Sequence, residues 1–294
     1  MNMIQDANVD KVGDALKAQR FQMLEDIARE LSSGSVVFPT CFDAALRLRK
    51  ELQNPDLPIP RMVKVVALEP LVATRLMQMA GSVLYSPDGT PARDLQAAIH
   101  RLGVELVRTS ALAIAMSQLL RAKETAVFGD FAKALWGHSI RTAAATRLLA
   151  QTYTRINPDQ ALLAGLVHDL GAFYMLYRAA QYEELRVRPG TVKHVMLQWH
   201  EGIGVSLLSA LGLPEDIVNA VTDHDQPRSL PDPLRTLGDL VYVGNLLAGS
   251  HLEWFGQDAG IDAAGGQVDA VRSLYAELLP QIEADSLEMQ AVLS

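Results

Sequence analysis

Six polar residues in the second half of the 294-residue chain are of the types that bind divalent metal ions. They are His138, His168, Asp169, His200, His224 and Asn245. Imidazole and carboxylate ligands together suit Zn, Fe or Mn, so a divalent transition metal is the cofactor that this set predicts. The chain has a single cysteine, Cys41, which excludes a structural zinc site built from several thiolates.

The adjacent pair His168-Asp169 gives the strongest of these signals, because it interrupts an otherwise apolar stretch from Ala161 to Tyr177. A buried carboxylate without a partner is costly, so the pair should be hydrogen-bonded, ion-paired or bound to metal. Two interpretations follow from the residues alone: a metal site, or a hydrogen-bonded polar cluster that orders the core without metal. Three further histidines are expected to be ordinary core residues, namely His100, His194 and His251.

The elements that must position these residues are predicted to be helices. Apolar residues recur at helical spacing, as in Leu112, Met116 and Leu119, and the alternation typical of strands is missing. Asn157-Pro158 and Leu213-Pro214 are helix-start signals. The sequence therefore predicts an all-α, multi-helix bundle of about ten to twelve helices. Each candidate ligand is expected to lie inside a different helix and to point into a common core.

Composition and charge restrict the function classes. Hydrophobic residues make up 49% of the chain, which excludes a disordered protein. The net charge of −8 argues against broad binding to nucleic acid or to an anionic membrane. No apolar run reaches the roughly 20 residues of a membrane span, and Asp6, Asp10 and Asp14 stand where a signal peptide would be basic and apolar. We therefore expect a cytoplasmic protein.

The chain is predicted to divide into four segments. They are a leader helix at 1–36, an N-terminal helical subdomain at 37–125, a second helical subdomain at 126–250 and an acidic helical tail at 251–294. The leader has Phe21, Leu24, Ile27 and Leu31 at helical spacing, and it is expected to pack on the domain or on a second subunit.

The tail contains eight acids and one base, Arg272, and so carries −7 of the net −8. A Gly- and Ala-rich joint at 258–266 is predicted to precede a helix at 268–283. We expect a solvated acidic helix there; the alternative is a docking segment for a basic partner.

Two motifs in the second half resemble the HD superfamily of metal-dependent phosphohydrolases. The first is Trp136-Gly137-His138-Ser139, and the second is the His168-Asp169 doublet in its aliphatic and glycine setting from Ala164 to Gly171. This resemblance implies that 126–250 is an HD-like helical subdomain with His138, His168 and Asp169 as metal ligands.

The first half narrows the resemblance to the HDOD family, the HD-related output domains of bacterial signalling proteins. The matching segments are Phe38–Leu52, Glu69-Pro70, Ala80-Gly81-Ser82 and Ala98–Gly103. Together with the HD motifs, the resemblance extends from about Phe38 to Leu247, with the motifs in the family's order.

Several positions depart from a hydrolytic HD pattern. The last acid of that pattern falls at Asn245, and Asp239, six residues earlier, is expected to face elsewhere on its helix. His200 and His224 resemble the extra ligands of the HD-GYP branch, which hydrolyses cyclic di-GMP. The second consecutive histidine of that branch is Asp225 here, and its Gly-Tyr-Pro signature is not found.

Three functions remain open at this stage. The first is a regulatory protein without catalytic residues, which binds other signalling proteins or a small ligand. The second is a metal-dependent phosphohydrolase acting on nucleotides or cyclic dinucleotides. The third is a cyclic-dinucleotide sensor without hydrolysis, in which Arg141 and Arg147 contact phosphate. The loss of the final carboxylate at Asn245 favours the first, because a less charged site does less to activate a metal-bound water.

Overall fold

The structure is a computed structural model that describes residues 13–34, 36, 50–52, 54, 57–121, 123–251, 254 and 262–293. Fourteen α-helices have described bounds, and no strand occurs within the described ranges. The all-α prediction is confirmed. The count exceeds ten to twelve in part because a four-residue helix was not expected and because one predicted helix is divided in two at His168-Asp169. The motif segment from Phe38 to Leu52 lies mostly outside the described residues.

The α-helices follow one another along the chain. They are α1 (Asp14–Ser33), α2 (Ile59–Ala67), α3 (Pro70–Gly81), α4 (Leu95–Leu102), α5 (Val104–Arg121), α6 (Gly129–Tyr153), α7 (Pro158–Val167), α8 (Leu170–Ala179), α9 (Glu183–Arg186), α10 (Pro189–Ala210), α11 (Glu215–Ala220), α12 (Leu237–Leu247), α13 (Asp262–Leu274) and α14 (Leu279–Leu293). Two 3₁₀-helices, Glu124–Phe128 and Ala276–Leu278, precede α6 and α14. The first lies at the predicted subdomain boundary, and the division itself remains a prediction.

The stretch around His168-Asp169 was expected to be one helix, and the structure shows two. α7 begins as predicted, with Asn157 capping the backbone N–H of Asp159 at 2.8 Å and Pro158 in the first position. It ends at Val167, and α8 begins at Leu170. The His168 ring bonds the carbonyl of Gly165 at 2.7 Å, and such a local side-chain bond competes with the helical ladder.

His224 was also expected inside a helix, and it lies instead in the turn beyond α11. That helix starts after Pro214 as predicted but ends at Ala220. Asp223 adopts a positive φ of 56°, which breaks the helical path. The ring of His224 bonds the carbonyl of Val221 at 2.8 Å and so faces back toward the core.

Two glycines allow the helices that carry the candidate ligands to approach closely. A Cβ at Gly165 on α7 would lie 2.9 Å from the carbonyl oxygen of Thr142 on α6. A Cβ at Gly171 on α8 would overlap the carbonyl oxygen of His200 and lie 2.6 Å from the amide nitrogen of Gly204, both on α10. Because glycine has no Cβ, backbones pack against each other at both crossings.

The leader helix α1 packs on its own chain, against α9 and α10. It buries Leu16, Met23 and Ile27, and Leu24 and Leu31 are partly buried. Phe21 does not take part in this packing, since its side chain is 69% exposed.

The C-terminal helices differ from the predicted solvated tail. The described part of the joint, residues 262–266, belongs to α13, and the predicted helix at 268–283 is interrupted at Tyr275. α14 buries Ile282, Met289 and Leu293 and packs against α6. Among the helices with described residues, none combines the length and apolar character that crossing a membrane requires.

Candidate metal centre

The structure brings all six predicted site residues to one place in the core, although they come from helices and turns alike. His138 lies on α6, His168 and Asp169 lie between α7 and α8, and His200 lies on α10. His224 comes from the turn after α11, and Asn245 from α12. Each of these residues is 0–2% exposed. We call His138, His168, Asp169, His200, His224 and Asp225 the His/Asp cluster.

One half of the cluster consists of His138, His168 and one oxygen of Asp169. The two Nε2 atoms are 3.1 Å apart. The Oδ2 atom of Asp169 lies 3.7 Å from Nε2 of His138 and 3.4 Å from Nε2 of His168. Three donor atoms therefore face a common point.

The other half consists of His200, His224 and the second oxygen of the same carboxylate. Oδ1 of Asp169 lies 3.4 Å from Nε2 of His200 and 3.3 Å from Nε2 of His224. These two Nε2 atoms are 3.4 Å apart. Asp169 is thus shared by two groups of potential ligands.

The orientation of three imidazole rings is fixed from behind by backbone carbonyls. The Nδ1 atoms of His168, His200 and His224 lie 2.7, 2.9 and 2.8 Å from the carbonyls of Gly165, Met196 and Val221. We assign the proton to Nδ1 in each case, because a carbonyl accepts only from N–H. The Nε2 lone pairs are then directed into the cluster, as metal-ligating histidines require.

Two residues of this site, Asp225 within the cluster and His251 beside it, were not predicted as metal ligands. The carboxylate of Asp225 accepts hydrogen bonds from Nδ2 of Asn245 at 2.8 Å and from Oγ of Ser250 at 3.1 Å. Its Oδ2 atom lies 3.4 Å from Nδ1 of His251. The sequence could have indicated Asp225, because it directly follows the candidate ligand His224. No spacing pattern marked His251, which follows the end of α12.

The expectation that the three remaining histidines are core residues is confirmed for His251, which is buried beside Asp225. It was wrong for His100 and His194, which are exposed on α4 and α10. A lone histidine on an apolar helix gives no indication of its neighbours, because those are set by other segments.

Burial and the nearby carboxylates have opposite effects on the pKa values of the imidazoles. Burial lowers the pKa of His138, and it lowers the pKa of His168 to about 3, so both rings are neutral. At His224 burial also opposes the charge, but the carboxylates of Asp225 and Asp169 outweigh it and raise the pKa to about 10. Burial likewise opposes ionisation of Asp169, yet the surrounding imidazoles hold its pKa below its usual range.

The donor set fits a divalent transition metal. Two nitrogens bound at about 2.1 Å to one zinc ion are about 3.0–3.4 Å apart, and the Nε2 separations fall in that range. Oδ2 of Asp169 is buried without a hydrogen-bond donor. Within the described ranges, neither Asp169 nor Asp225 is ion-paired with lysine or arginine. The negative charge of the cluster is therefore balanced only by protons on histidine or by a bound cation.

The two candidate phosphate contacts lie near the C-terminal helices. Arg141, one turn after His138 on α6, is half-buried and experiences the charges of Glu283 and Arg272. The guanidinium of Arg147 stacks over the ring of Tyr85 at 5.2 Å. A phosphate-binding role for Arg141 remains a prediction.

Asp239 faces away from the cluster, as its place in the sequence indicates. It forms a capping box with Thr236 at the start of α12.

Comparison with known proteins gives one family and a set of structures. The HDOD domain profile matches residues 38–227. No curated protein matches the sequence.

Three solved structures share the fold. A Shewanella amazonensis SB2B protein, provisionally described as a metal-dependent phosphohydrolase, has a TM-score of 0.71 at 21% identity over 94% of this chain and all of its own. An HDOD domain protein of unknown function from Geobacter sulfurreducens has a TM-score of 0.60 at 21% identity, over 91% of this chain and 97% of its own. A Marinobacter aquaeolei VT8 protein, provisionally described as a signal transduction protein, has a TM-score of 0.56 at 20% identity. The match covers 95% of this chain and 66% of that protein.

Proposed function

The chain belongs to the HDOD domain family, and from this premise we propose that it is a regulatory signalling module whose His/Asp cluster holds a divalent transition metal as a structural element. In this proposal the module acts by binding another signalling protein or a small ligand, and it does not hydrolyse a phosphoester. The net charge of −8 makes a nucleic acid a poor partner.

One observation carries the proposal: two carboxylates and four imidazoles meet in the cluster with almost no exposure to solvent. In the absence of metal, its negative charge must be balanced by protons on His200 and His224, whose pKa values are raised although burial opposes the charge. A divalent cation replaces two such protons. Metal binding and proton release are then coupled, as at other imidazole–carboxylate sites.

The segments that supply the ligands are far apart in the sequence. The metal would be held by His138, His168-Asp169, His200 and His224. It would therefore connect four segments: α6, the α7–α8 junction, α10 and the turn after α11. The bound ion would supply positive charge and fixed coordination geometry. The loop entropy lost on closing these segments is then offset by binding energy that only the folded chain provides.

Two features support a role without hydrolysis. The candidate ligands are 0–2% exposed, so a phosphoester cannot reach them in this conformation. The amide of Asn245 adds no negative charge to a site that would have to activate water.

The test is elemental analysis of the purified protein combined with turnover assays. We expect stoichiometric Fe, Mn or Zn, and no hydrolysis of nucleotides or cyclic dinucleotides in the presence of Mn, Fe or Mg. An Asp169→Ala variant, which removes the carboxylate that both ligand groups share, should lose metal. Metal-free protein that has the stability of the metal-loaded form would contradict the proposal.

The shared position of Asp169 favours one alternative function, a two-ion phosphohydrolase. A carboxylate between two ligand groups is the arrangement by which paired ions activate water and stabilise a phosphoryl leaving group. Turnover that disappears in both His168→Ala and Asp169→Ala would establish it. Binding of a cyclic dinucleotide in calorimetry without turnover would instead indicate a sensor.

A further inference from the structure

Asn245 lies beside the His/Asp cluster, and its amide nitrogen donates a hydrogen bond to the carboxylate of Asp225. Its Nδ2 donates to Oδ1 of Asp225 at 2.8 Å and to the carbonyl of His224 at 3.1 Å. An aspartate at 245 would place a second negative charge against Asp225. The two positions therefore have complementary chemistry: an amide at 245 goes with a carboxylate at 225.

The second oxygen of Asp225 faces the histidines. Oδ2 lies 3.3 Å from Nε2 of His200 and 3.9 Å from Nε2 of His224. The side chain is 8% exposed. Its first oxygen is occupied by Asn245 and Ser250, so Oδ2 is the atom available to the cluster.

Oδ1 of Asp169 and Oδ2 of Asp225 thus both lie near the same pair of atoms, Nε2 of His200 and Nε2 of His224. Five of the separations among these four atoms are 3.4, 3.3, 3.4, 3.3 and 3.9 Å. The edges of a tetrahedron of ligands at zinc, with bonds of about 2.0–2.1 Å, are about 3.3–3.4 Å long. Four of the five separations match these edges, and the fifth, from Nε2 of His224 to Oδ2 of Asp225, is longer at 3.9 Å. The set is close to that of a tetrahedral site of two imidazoles and two carboxylates.

We propose that Asp225 is a metal ligand that completes a four-ligand site with Asp169, His200 and His224, and that it supplies the carboxylate missing at position 245. This inference rests on the proposed function, because it requires that the cluster holds metal. Asn245 and Ser250 are positioning residues in this arrangement, since each holds the carboxylate of Asp225 by a hydrogen bond.

The inference makes the two halves of the cluster unequal. The half with Asp225 has four protein ligands, as structural zinc sites do, and its two carboxylates match the charge of one divalent ion. The half with His138 and His168 has three protein ligands and shares the charge of Asp169. The tighter ion is therefore assigned to the Asp225 half.

The experiment measures the affinity of the metal-free full chain for Zn²⁺ and Co²⁺ by competition with a chromophoric chelator. Asp225→Ala should weaken the tighter site by more than about 100-fold, beyond the 10–100-fold typical of a positioning residue. Asn245→Ala should weaken metal affinity only within that range of 10–100-fold. The isosteric Asp225→Asn keeps the shape of the side chain and should also weaken the site, so the test does not depend on the alanine variant folding.

The matched control is Asp223→Asn, in the same turn. Asp223 is exposed, and asparagine tolerates its positive φ of 56°, so the affinity should be unchanged. His168→Ala should remove the weaker site and leave the tighter one.

The visible spectrum of bound Co²⁺ gives an independent readout. The wild-type protein should show the intense absorption of four-coordinate Co²⁺, and Asp225→Ala should show the weaker absorption of a higher-coordinate, water-bound ion. Wild-type affinity and spectrum in both Asp225 variants would overturn the assignment of Asp225 alone. A wild-type chain that binds neither metal would overturn the proposed function as well.

Discussion

Two polar clusters lie along α8, and they balance their negative charge in different ways. The first is the His/Asp cluster, which Asp169 joins immediately before the helix begins. The second, which we call the α1 interface, consists of Asp26 and Glu30 on α1 with Tyr174, Arg178 and Tyr182. Both place carboxylates in or near the core, and only the second contains an arginine.

The α1 interface is complete within the chain. Glu30 accepts hydrogen bonds from Arg178 and Tyr174, and Asp26 accepts one from Tyr182 at 2.6 Å. Burial lowers the pKa of Arg178, but the carboxylate of Glu30 outweighs it and raises that pKa above its usual range. Asp26 is paired in turn with Arg29 at 3.0 Å, so the charge of this interface needs no external ion.

In the His/Asp cluster, the only side chains of the described residues that can bring positive charge to Asp169 and Asp225 are imidazoles. An imidazole neutralises a carboxylate only when it takes up a proton, and burial opposes that proton. A carboxylate beside arginine is therefore balanced by an ion pair within the chain. A carboxylate among buried histidines is balanced by protons on imidazole or, as we propose, by a bound cation.

Removal of the metal should cause the largest loss of folding stability. Saturating metal at about 1,000 times its dissociation constant stabilises a folded protein by about 4 kcal/mol, and a chelator should remove that contribution. Urea unfolding with and without chelator measures it. An Asp169→Asn variant should show almost no chelator effect. Identical unfolding curves for the wild type in both conditions would mean that the cluster is balanced without metal.

Gly171→Ala should have the next largest effect and lower the free energy of unfolding by about 3 kcal/mol. The reason is that the new Cβ would overlap the backbone of α10 at His200 and Gly204. Metal content should fall with stability, since His200 must move. Gly202→Ala on α10 is the matched control, because a Cβ there has no neighbour within 4 Å. Retained metal and stability in the Gly171 variant would show that α8 and α10 can separate without opening the cluster.

Glu30→Gln should destabilise the protein by about 2 kcal/mol, since Arg178 then loses its charged partner at a largely buried site. The loss should be the same with and without chelator. Glu25→Gln, which changes an exposed pair with Arg29, should have little effect. A Glu30→Gln penalty that depends on metal would mean that the two clusters are coupled through α8.

The smallest effect should be a pH dependence at the α1 interface. The hydrogen bond from Tyr182 is the main cause that lowers the pKa of Asp26 below its usual 3.8. The stabilisation is therefore present above that value and is lost as the pH falls through the lower folded-state pKa. The difference in unfolding free energy between wild type and Asp26→Asn should shrink over this acidic range. A constant difference would exclude the carboxylate as its source.

The sequence determined the fold class and most of the site. Helical periodicity and the lack of strand patterning depend on each residue and its near neighbours, so the all-α prediction was confirmed. The residue types at His138, His168-Asp169, His200 and His224 were chemically conspicuous because they interrupt apolar segments. The resemblance to the HDOD family rested on several short motifs in order, and the family match confirmed it.

Only the tertiary structure decided which polar groups meet and how. His168-Asp169 and His224 lie at helix ends, where single side-chain bonds to carbonyls compete with the helical ladder. The carboxylate of Asp225, the ring of His251 and the docking of α1 through Glu30 depend on contacts between segments far apart in the chain. Local patterns carry no record of such contacts, because they are fixed by packing that involves the whole core.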